Sequence, residues 1–306
     1  MQQGVVVTSV GAEFIQLARS YLSLLKPRVM SLVVFSGAAG MALAPEKASI
    51  SVWLMAMFCL ALGTGAAAAL NMWYDRDIDT IMRRTRDRPI PAGDISAEAV
   101  LAFGVVLAIA SVAFMGLGVN WVAAFWLAMA IIWYVGVYTV WLKRRSVQNI
   151  VIGGAAGAFP PVIGWAAASG HVAGDLFVWQ PWLLFLIVFL WTPPHFWALA
   201  LYRHDDYKQA KVPMLPVVAG ALSTKKHILA YSILLLPVSL TPYAAGLCGG
   251  LYLAVASLMG LIFVAASYRL LTAKDEQKAQ KTSMAVFGYS ILYLFMLLAI
   301  MIIDVV

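Results

Sequence analysis

The densest cluster of charged side chains in the sequence lies within residues 66–93. Asn71, Asp75 and Asp79 follow one another there at intervals of four residues, so on an α-helix they would cover only about 80° of one face. We call these three side chains the acidic stripe. Asp77 falls on roughly the opposite side of the same helix. Because proteins hold Mg²⁺ through carboxylates together with phosphate oxygens of a substrate, the spacing predicts a metal-binding stripe.

Arginines follow the acidic stripe directly, and they are Arg83, Arg84, Arg86 and Arg88. A guanidinium binds phosphate oxygens in a bidentate fashion, and Mg²⁺ bridges phosphate oxygens to carboxylates. Acidic oxygens beside several guanidiniums therefore suit a ligand that is both anionic and metal-bound, such as a diphosphate. We favour Arg84 and Arg88 as its ligands, because orientation of the chain in a membrane would account for the other two.

A second mixture of acidic and basic side chains occurs in the second half of the chain. Tyr202 and Asp206 are four residues apart, with Arg203 between them and Lys208 just beyond. Asp205 would point about 100° away from Asp206 on a helix, so we interpret it as solvated. Ionisable groups carried by apolar spans are functional more often than incidental. We therefore interpret both clusters as functional.

The elements that carry these clusters are apolar, since 63% of the 306 residues are hydrophobic and only 11% are charged. Such a composition requires a lipid solvent. Stretches of about 20 apolar residues can each cross a hydrocarbon core about 30 Å thick. We mark about nine of them, at residues 29–45, 50–70, 97–118, 121–142, 147–168, 180–201, 227–247, 250–271 and 284–303.

The basic residues are distributed very unevenly around these stretches. If the nine alternate across the membrane, one side receives 20 of the 21 basic residues and the other receives only Lys47. By the positive-inside rule the crowded side is cytoplasmic, which places the N-terminus inside and the C-terminus outside. Both clusters then lie at the cytoplasmic face. The net charge of +7 thus reflects membrane orientation, and nucleic acid is not an expected partner.

Some stretches should depart from regular helix. The fifth, residues 147–168, contains several glycines and a proline pair, and it should be kinked or broken, which is tolerated where backbone lines protein or a cavity. Pro193 and Pro194 should kink the sixth. Residues 80–95 are too polar for lipid and rich in proline, so we expect a loop that could cover a site.

The fold class predicted from these features is an all-α, polytopic membrane protein with a single bundle around a central cavity. Cys59 and Cys248 lie in or beside apolar stretches without the spacing of a metal or haem attachment site, so we interpret them as packing residues. Residues 1–28 show the features of neither a signal peptide nor a transit peptide. A bacterial inner membrane is the expected location.

The acidic stripe, followed by Arg84-Thr85 and Arg88-Pro89, resembles the UbiA superfamily of intramembrane prenyltransferases. Segments 138–165, 192–207 and 212–217 are similar to the haem-modifying branch of that superfamily, and the resemblance extends over essentially the whole chain. The second motif departs from the superfamily pattern, because Tyr202 stands where a first aspartate is usual. This leaves fewer carboxylates for a second metal, so either one or two Mg²⁺ ions remain possible.

The resemblance implies that residues 29–306 form a transmembrane prenyltransferase domain behind a cytoplasmic or interfacial segment, residues 1–28. It implies transfer of a farnesyl group from farnesyl diphosphate to a vinyl group of haem b with addition of water, giving haem O and diphosphate for haem-copper oxidases. Further expected partners are the lipid bilayer and a downstream haem-modifying enzyme or oxidase assembly factors. In this reading Mg²⁺ is held by Asn71, Asp75, Asp79 and Asp206, and the diphosphate is neutralised by Arg84, Arg88, Lys143, Arg144, Arg203 and Lys208.

His195 and Tyr202 are the candidates for contact with the acceptor. His195 directly follows the proline pair, and the sequence leaves two interpretations balanced: a satisfied core histidine, or a residue that binds haem or handles a proton. His171, His204 and His227 lie at the edges of apolar stretches and carry no functional signal.

Three alternatives to this function stay open at this point. Another prenyltransferase of the superfamily could act on an aromatic ring such as that of 4-hydroxybenzoate. A transporter could use paired carboxylates as a cation path, although its polar groups should lie near the bilayer midplane. A purely structural membrane subunit would leave the acidic stripe unexplained.

Overall fold

The computed structural model describes residues 3–169 and 179–305, and every regular element in these ranges is helical. The elements, in chain order, are α1 (Gln3–Leu24), α2 (Pro27–Leu43), α3 (Ile50–Tyr74), α4 (Arg76–Ile81), α5 (Ala97–Gly118), α6 (Trp121–Ile132) with a π-helical continuation (Trp133–Leu142), α7 (Asn149–Gly153), α8 (Ala155–Ala158), α9 (Pro160–Ser169), α10 (Gln180–Tyr202), α11 (His204–Gln209), α12 (Leu215–Val218), α13 (Gly220–Ala244), α14 (Gly250–Thr272) and α15 (Glu276–Val305). The prediction of an all-α fold is confirmed.

Eight apolar helical segments in the described ranges are long enough to cross a membrane. They are α3, α5, α6 with its π-helical continuation, the α7–α9 series, α10, α13, α14 and α15. The apolar pair α1 and α2, bent by 47° at the break between them, makes a ninth candidate. The first predicted span corresponds to α2, and the prediction of about nine spans agrees with this range of eight to nine.

Polar side chains mark where several of these helices begin. Ser49 and Ser96 accept hydrogen bonds from backbone N–H groups in the first turns of α3 and α5, which satisfies donors that have no intrahelical partner. Asn120 does the same for α6 and also donates from Nδ2 to the carbonyl oxygen of Ala166 at 2.8 Å. The short connection between α5 and α6 is thereby tied to α9.

The fifth predicted span is broken into α7, α8 and α9, as its glycines and prolines led us to expect. Its last part packs backbone against backbone on α2. A Cβ atom at Gly164 would lie 1.8 Å from the carbonyl oxygen of Gly37, and one at Gly40 would lie 2.0 Å from that of Pro161. Only small residues allow such an approach in a membrane bundle. By contrast, α10 runs continuously through Pro193 and Pro194.

The connection between α4 and α5, residues 82–96, is a series of turns, which confirms the predicted loop within one or two residues at each end. We call it the arginine loop. Helices α13, α14 and α15 are joined by buried polar contacts, among them Ser232 to Ser267 (2.8 Å) and Ser239 to Tyr293 (2.5 Å). These hydrogen bonds connect helices that share no hydrophobic driving force in lipid. The three helices therefore form a scaffold.

Candidate active site

The acidic stripe lies where α3 ends and α4 begins, with Asp75 at the junction. The Asp75 N–H donates to the Asn71 carbonyl oxygen and the Asp79 N–H donates to that of Asp75, both at 2.9 Å. Helical spacing therefore continues across the break, and the three side chains lie on one side as predicted. The Asp75 and Asp79 side chains are 0% and 2% exposed, whereas that of Asp77 is 61% exposed.

Asp75 is the centre of a buried polar network. Its Oδ2 accepts a hydrogen bond from Asn71 Nδ2 at 2.7 Å and forms an ion pair with Lys143 Nζ. Asn71 Nδ2 also donates to Thr139 Oγ1 at 3.1 Å, while Asn71 Oδ1 accepts from Lys26 Nζ at 3.1 Å. Two ammonium groups thus reach a stripe that the sequence marked as acidic.

The π-helical continuation of α6 positions Thr139 and, directly after its end, Lys143. Thr139 Oγ1 donates to the Tyr134 carbonyl oxygen and the Lys143 N–H donates to that of Tyr138, both at 2.8 Å. The Lys143 N–H bond reaches back five residues along the backbone, which is the π-helical pattern and recurs at functional sites. Asn149, fully buried on α7, donates from Nδ2 to the Lys143 carbonyl oxygen at 3.2 Å. Lys143 is therefore held at both its backbone and its side chain.

The arginine loop folds back onto Asp79 and onto α1. Arg88 Nη1 lies 2.6 Å from Asp79 Oδ2, and Thr85 Oγ1 donates to the Asp79 carbonyl oxygen at 3.0 Å. Further along the loop, Asp94 Oδ2 accepts from Ser20 Oγ at 2.9 Å. The loop is thus connected to the acidic stripe and to the N-terminal helix.

Arg144 is bound mainly to Asp77, the carboxylate that faces away from the stripe. Its two Nη atoms lie 2.6 and 2.7 Å from the Asp77 oxygens, with a longer contact of 3.4 Å to Asp75 Oδ1. Its guanidinium also lies 5.0 Å from the centre of the Tyr74 ring. The hydrogen bond between the two side chains lowers the pKa of Asp77 and raises the pKa of Arg144.

The second cluster contributes a carboxylate that forms no ion pair with any residue that the structure describes. Asp206, at the start of α11, is only 7% exposed, and its Oδ2 is buried without a hydrogen-bond partner among the described residues. The neighbouring Asp205 side chain is 88% exposed, as its predicted direction implies. Arg203 has a buried Nε without a partner among the described residues, and its guanidinium lies 5.0 Å from the Tyr202 ring. Buried polar atoms without protein partners are candidates for contact with water or a ligand.

Apolar packing brings the two clusters together. Ile78 and Met82, next to the acidic stripe, share one buried cluster with Tyr207 and Val212, which flank the second motif, and with Ile150 of α7. Arg84 and Lys208 lie at the periphery, where they are exposed and form no ion pair with any residue in the described ranges.

The donor set fits Mg²⁺ only if a ligand supplies further oxygens. In the part of the chain that the structure describes, no three His, Cys, Asp or Glu side chains come together as a metal site. The acidic stripe has two carboxylates, Asp206 offers an unpartnered carboxylate oxygen, and phosphate oxygens of a substrate normally complete the Mg²⁺ shell. The residues present therefore fit a metal that arrives with a diphosphate.

His195 lies on α10, away from the ion pairs. Its ring is stacked between Trp191 and Phe287, and its Nδ1 lies 2.6 Å from Ser290 Oγ. His204 contacts the exposed Asp205 and His227 lies against Trp197. His171 lies outside the described residues.

Sequence reasoning missed two residues of the site, Lys26 and Thr139. Lys26 stands at the break between α1 and α2 in a left-handed conformation, with φ of 49°. Its only sequence signal is its place directly before Pro27, at the start of an apolar stretch. Thr139 has no signal at all, because its contact with Asn71 depends on the π-helical register.

The model of the UbiA prenyltransferase family matches residues 33–299, so the chain belongs to this family of membrane prenyltransferases. Two relatives named protoheme IX farnesyltransferase are each 50% identical over 287 residues. The one from Brucella anthropi aligns over 94% of this chain and 90% of the relative, and the one from Parvibaculum lavamentivorans over 94% and 89%.

Solved structures of distant relatives have the same fold. A digeranylgeranylglyceryl phosphate synthase superposes with a TM-score of 0.74 at 18% identity, covering 94% of this chain and 99% of the other. A UbiA homologue from Archaeoglobus fulgidus, bound to DMAPP and Mg²⁺, superposes with a TM-score of 0.62 at 16% identity, covering 92% and 99%. The fold prediction is thus confirmed by comparison as well as by helix content.

Proposed function

We propose that this chain transfers the farnesyl group of farnesyl diphosphate to a vinyl group of haem b, with addition of water, to give haem O and diphosphate. The observation that carries the proposal is the 50% identity, over 94% of the chain, to relatives named for this activity. The buried acid–base network at the acidic stripe supplies the chemistry that such a reaction needs. The role of each side chain follows from its contacts.

Asn71, Asp75, Asp79 and Asp206 are the residues that would hold Mg²⁺. When bound, the metal would link carboxylate and diphosphate oxygens and stabilise charge on the leaving group. Asp206 is suited to this role because its Oδ2 has no hydrogen-bond partner among the described residues. Asp79 already has a cationic partner in Arg88, and Asp75 has Lys143 together with a longer contact to Arg144.

Those cationic partners would bind the diphosphate. Lys26, Lys143 and Arg88 each contact the acidic stripe through a donor that can turn toward an incoming phosphate oxygen. Arg203 has an Nε without a partner. Arg144 would act through Asp77 and Asp75, while Arg84 and Lys208 are free to approach from the periphery. Basic groups positioned at the leaving group are an electrostatic form of catalysis.

The reaction balances without an external oxidant. The bond between C1 of the farnesyl group and oxygen breaks, and its electron pair leaves with the diphosphate, whose charge Lys143 and Arg88 neutralise. The vinyl π electrons of the porphyrin form the new carbon–carbon bond. Water adds to the resulting cation and one proton is released. Both substrates are largely apolar, so they reach the site from the lipid side of the bundle.

We propose a bacterial inner membrane as the location, with the site at the cytoplasmic face. The uneven distribution of basic residues supports this orientation, since alternation of nine spans would put 20 of the 21 basic residues on the side of the site. The product would pass to a downstream haem-modifying enzyme or to oxidase assembly factors.

The test is to incubate the purified full chain with haem b and farnesyl diphosphate, with Mg²⁺ or with EDTA, and to analyse the extracted haem by mass spectrometry. We expect a haem heavier by farnesyl plus water only when Mg²⁺ is present. If 4-hydroxybenzoate were prenylated while haem stayed unmodified, the chain would be a prenyltransferase, but haem b would not be its acceptor. A folded sample that gives neither product would refute the proposed reaction.

A further inference from the structure

Aromatic rings pack against the His195 ring and leave its nitrogen-bearing edge for contact with a ligand. Trp191 stacks on one side at 4.3 Å and 19°, and Phe287 stacks at 4.6 Å and 25°. Phe196 meets the ring edge-on at 5.2 Å. Because both faces are covered by aromatic rings, His195 can contact a ligand only through its nitrogen-bearing edge.

The hydrogen bonds around Ser290 fix which ring nitrogen carries the proton. Ser290 Oγ donates its single hydrogen to the Phe287 carbonyl oxygen at 2.6 Å. At its 2.6 Å contact with His195 Nδ1 it must therefore accept, so Nδ1 is protonated and Nε2 carries a lone pair. Trp191 Nε1 holds the Ser290 carbonyl oxygen at 2.7 Å. Nε2 itself has no hydrogen-bond partner in the ranges that the structure describes.

This arrangement matches the way in which proteins prepare a histidine to bind a metal. A ligating histidine commonly donates its other N–H to a fixed acceptor, which sets the tautomer and the ring orientation. His195 Nε2 is not among the fully buried polar atoms that lack a partner in the described residues, so its lone pair is accessible to a ligand. The nitrogen lone pair is therefore the feature that can bind a metal.

The position of His195 suits the acceptor substrate. His195 and Tyr202 are seven residues apart on the continuous helix α10, so they lie on the same face and about 10 Å apart along its axis. Tyr202 adjoins the second cluster. A metal held at His195 would lie about two helical turns from that cluster, and the rim of a macrocycle around the metal would extend toward it.

We propose that His195 Nε2 is an axial ligand of the haem iron, and that Ser290 and Trp191 are positioning residues for this ligand. The inference rests on the proposed function, because it identifies how the acceptor of that reaction is held. Iron coordination at the macrocycle centre leaves the vinyl groups at its rim free to react. Farnesyl diphosphate plays no part in this contact, so the binding of haem can be tested without it.

The experiment is an optical titration of the purified full chain with ferric haem b in the absence of farnesyl diphosphate. We compare the wild type with His195→Gly, His195→Gly plus imidazole, Ser290→Ala and His227→Gln. His227 is the matched control, because its Nδ1 contacts the carbonyl oxygen of Ser223 within its own helix. We expect a histidine-ligated Soret band in the wild type and in His227→Gln, its loss in His195→Gly, and its return with imidazole. Ser290→Ala should weaken haem binding about tenfold.

Identical haem spectra in the wild type and a folded His195→Gly variant would overturn the inference, as would failure of imidazole to restore the band. If His195→Gly did not fold, the Ser290→Ala titration would decide, since unchanged affinity there refutes the positioning role. If mass spectrometry shows that the wild type makes haem O, yet its haem spectrum shows no histidine ligation, then His195 is not the axial ligand and the proposed function stands. A wild type that neither binds nor modifies haem refutes the proposed function.

Discussion

Lys143 and Asp75, 68 residues apart in the chain, form an ion pair in which the Asp75 side chain is fully buried. Arg88 and Asp79 form a second such pair at 2.6 Å. The two carboxylates of the acidic stripe are therefore already neutralised by cations of the same chain, whereas Asp206 is not. A divalent ion that arrives alone must displace these cations, whereas one that arrives with a diphosphate gives them a new anionic partner.

Lys143→Met should change the binding of metal and of diphosphate in opposite directions. Without the ammonium group, Asp75 has one fewer cationic partner, so Mg²⁺ alone should bind about tenfold more tightly, while inorganic pyrophosphate with Mg²⁺ should bind about tenfold more weakly. Isothermal titration of the purified chain measures both affinities.

Lys226→Met is the control for this change, since Lys226 is exposed and forms no ion pair with the described residues. Both of its affinities should equal those of the wild type. Weaker binding of Mg²⁺ alone to Lys143→Met would contradict the displacement argument.

Asp206→Asn and Asp205→Asn form a matched pair of neighbouring substitutions. Asp206 is buried with an oxygen that lacks a partner, whereas the Asp205 side chain is 88% exposed. We expect Asp206→Asn to lower kcat/KM by about 10²–10³, in the range of lost electrostatic stabilisation, and to raise the Mg²⁺ concentration needed for half activity. Asp205→Asn should alter neither quantity. Equal effects of the two changes would remove Asp206 from the metal site.

Asp75→Ala and Asp79→Ala should abolish turnover, because each removes a buried carboxylate of the acidic stripe. Asp77→Ala frees Arg144 from its bidentate contact, but leaves the carboxylates of the stripe in place, so turnover should fall less than about tenfold. Turnover is measured by the mass-spectrometric haem assay. A loss in Asp77→Ala as large as in the other two would refute the one-sided arrangement.

Gly164→Ala should destabilise the bundle, because the new methyl group would collide with the Gly37 carbonyl oxygen on α2. Overpacking of this kind typically costs about 1–3 kcal/mol, and the fixed backbone leaves little room for relief. Gly157→Ala is the control, since a Cβ there meets nothing within 4 Å. Thermal unfolding in detergent should show a lower midpoint for the first variant only.

The helical architecture was predictable because a membrane imposes a simple rule on composition. About 20 apolar residues must form a helix to satisfy their backbone in lipid, so the spans follow from hydropathy alone. The break at α7–α9 followed from its glycines and prolines. The shared direction of Asn71, Asp75 and Asp79 followed from their spacing, because backbone hydrogen bonds continue through the junction at Asp75.

The partners of those residues were less predictable. Thr139 reaches Asn71 through a π-helical turn, and hydropathy periods do not distinguish this register from an α-helix. Lys26 required knowledge of the bend between α1 and α2. Arg144 was expected to neutralise a diphosphate, and its contact with Asp77 was not predictable because it depends on tertiary packing between the loop after α6 and the start of α4.

The arginine loop is fastened at two points, by Arg88 and Thr85 to Asp79 and by Asp94 to Ser20 of α1. A lipid-soluble product never has to pass beneath it, since it can leave sideways between helices. If the proposed reaction takes place beneath the loop, diphosphate, which is insoluble in lipid, would leave on the aqueous side and would break the contacts that hold the loop down. The two products would then leave in different directions, the modified porphyrin into lipid and the diphosphate into water. Stronger contacts between the loop and the bundle would slow the release of diphosphate without slowing the release of the porphyrin.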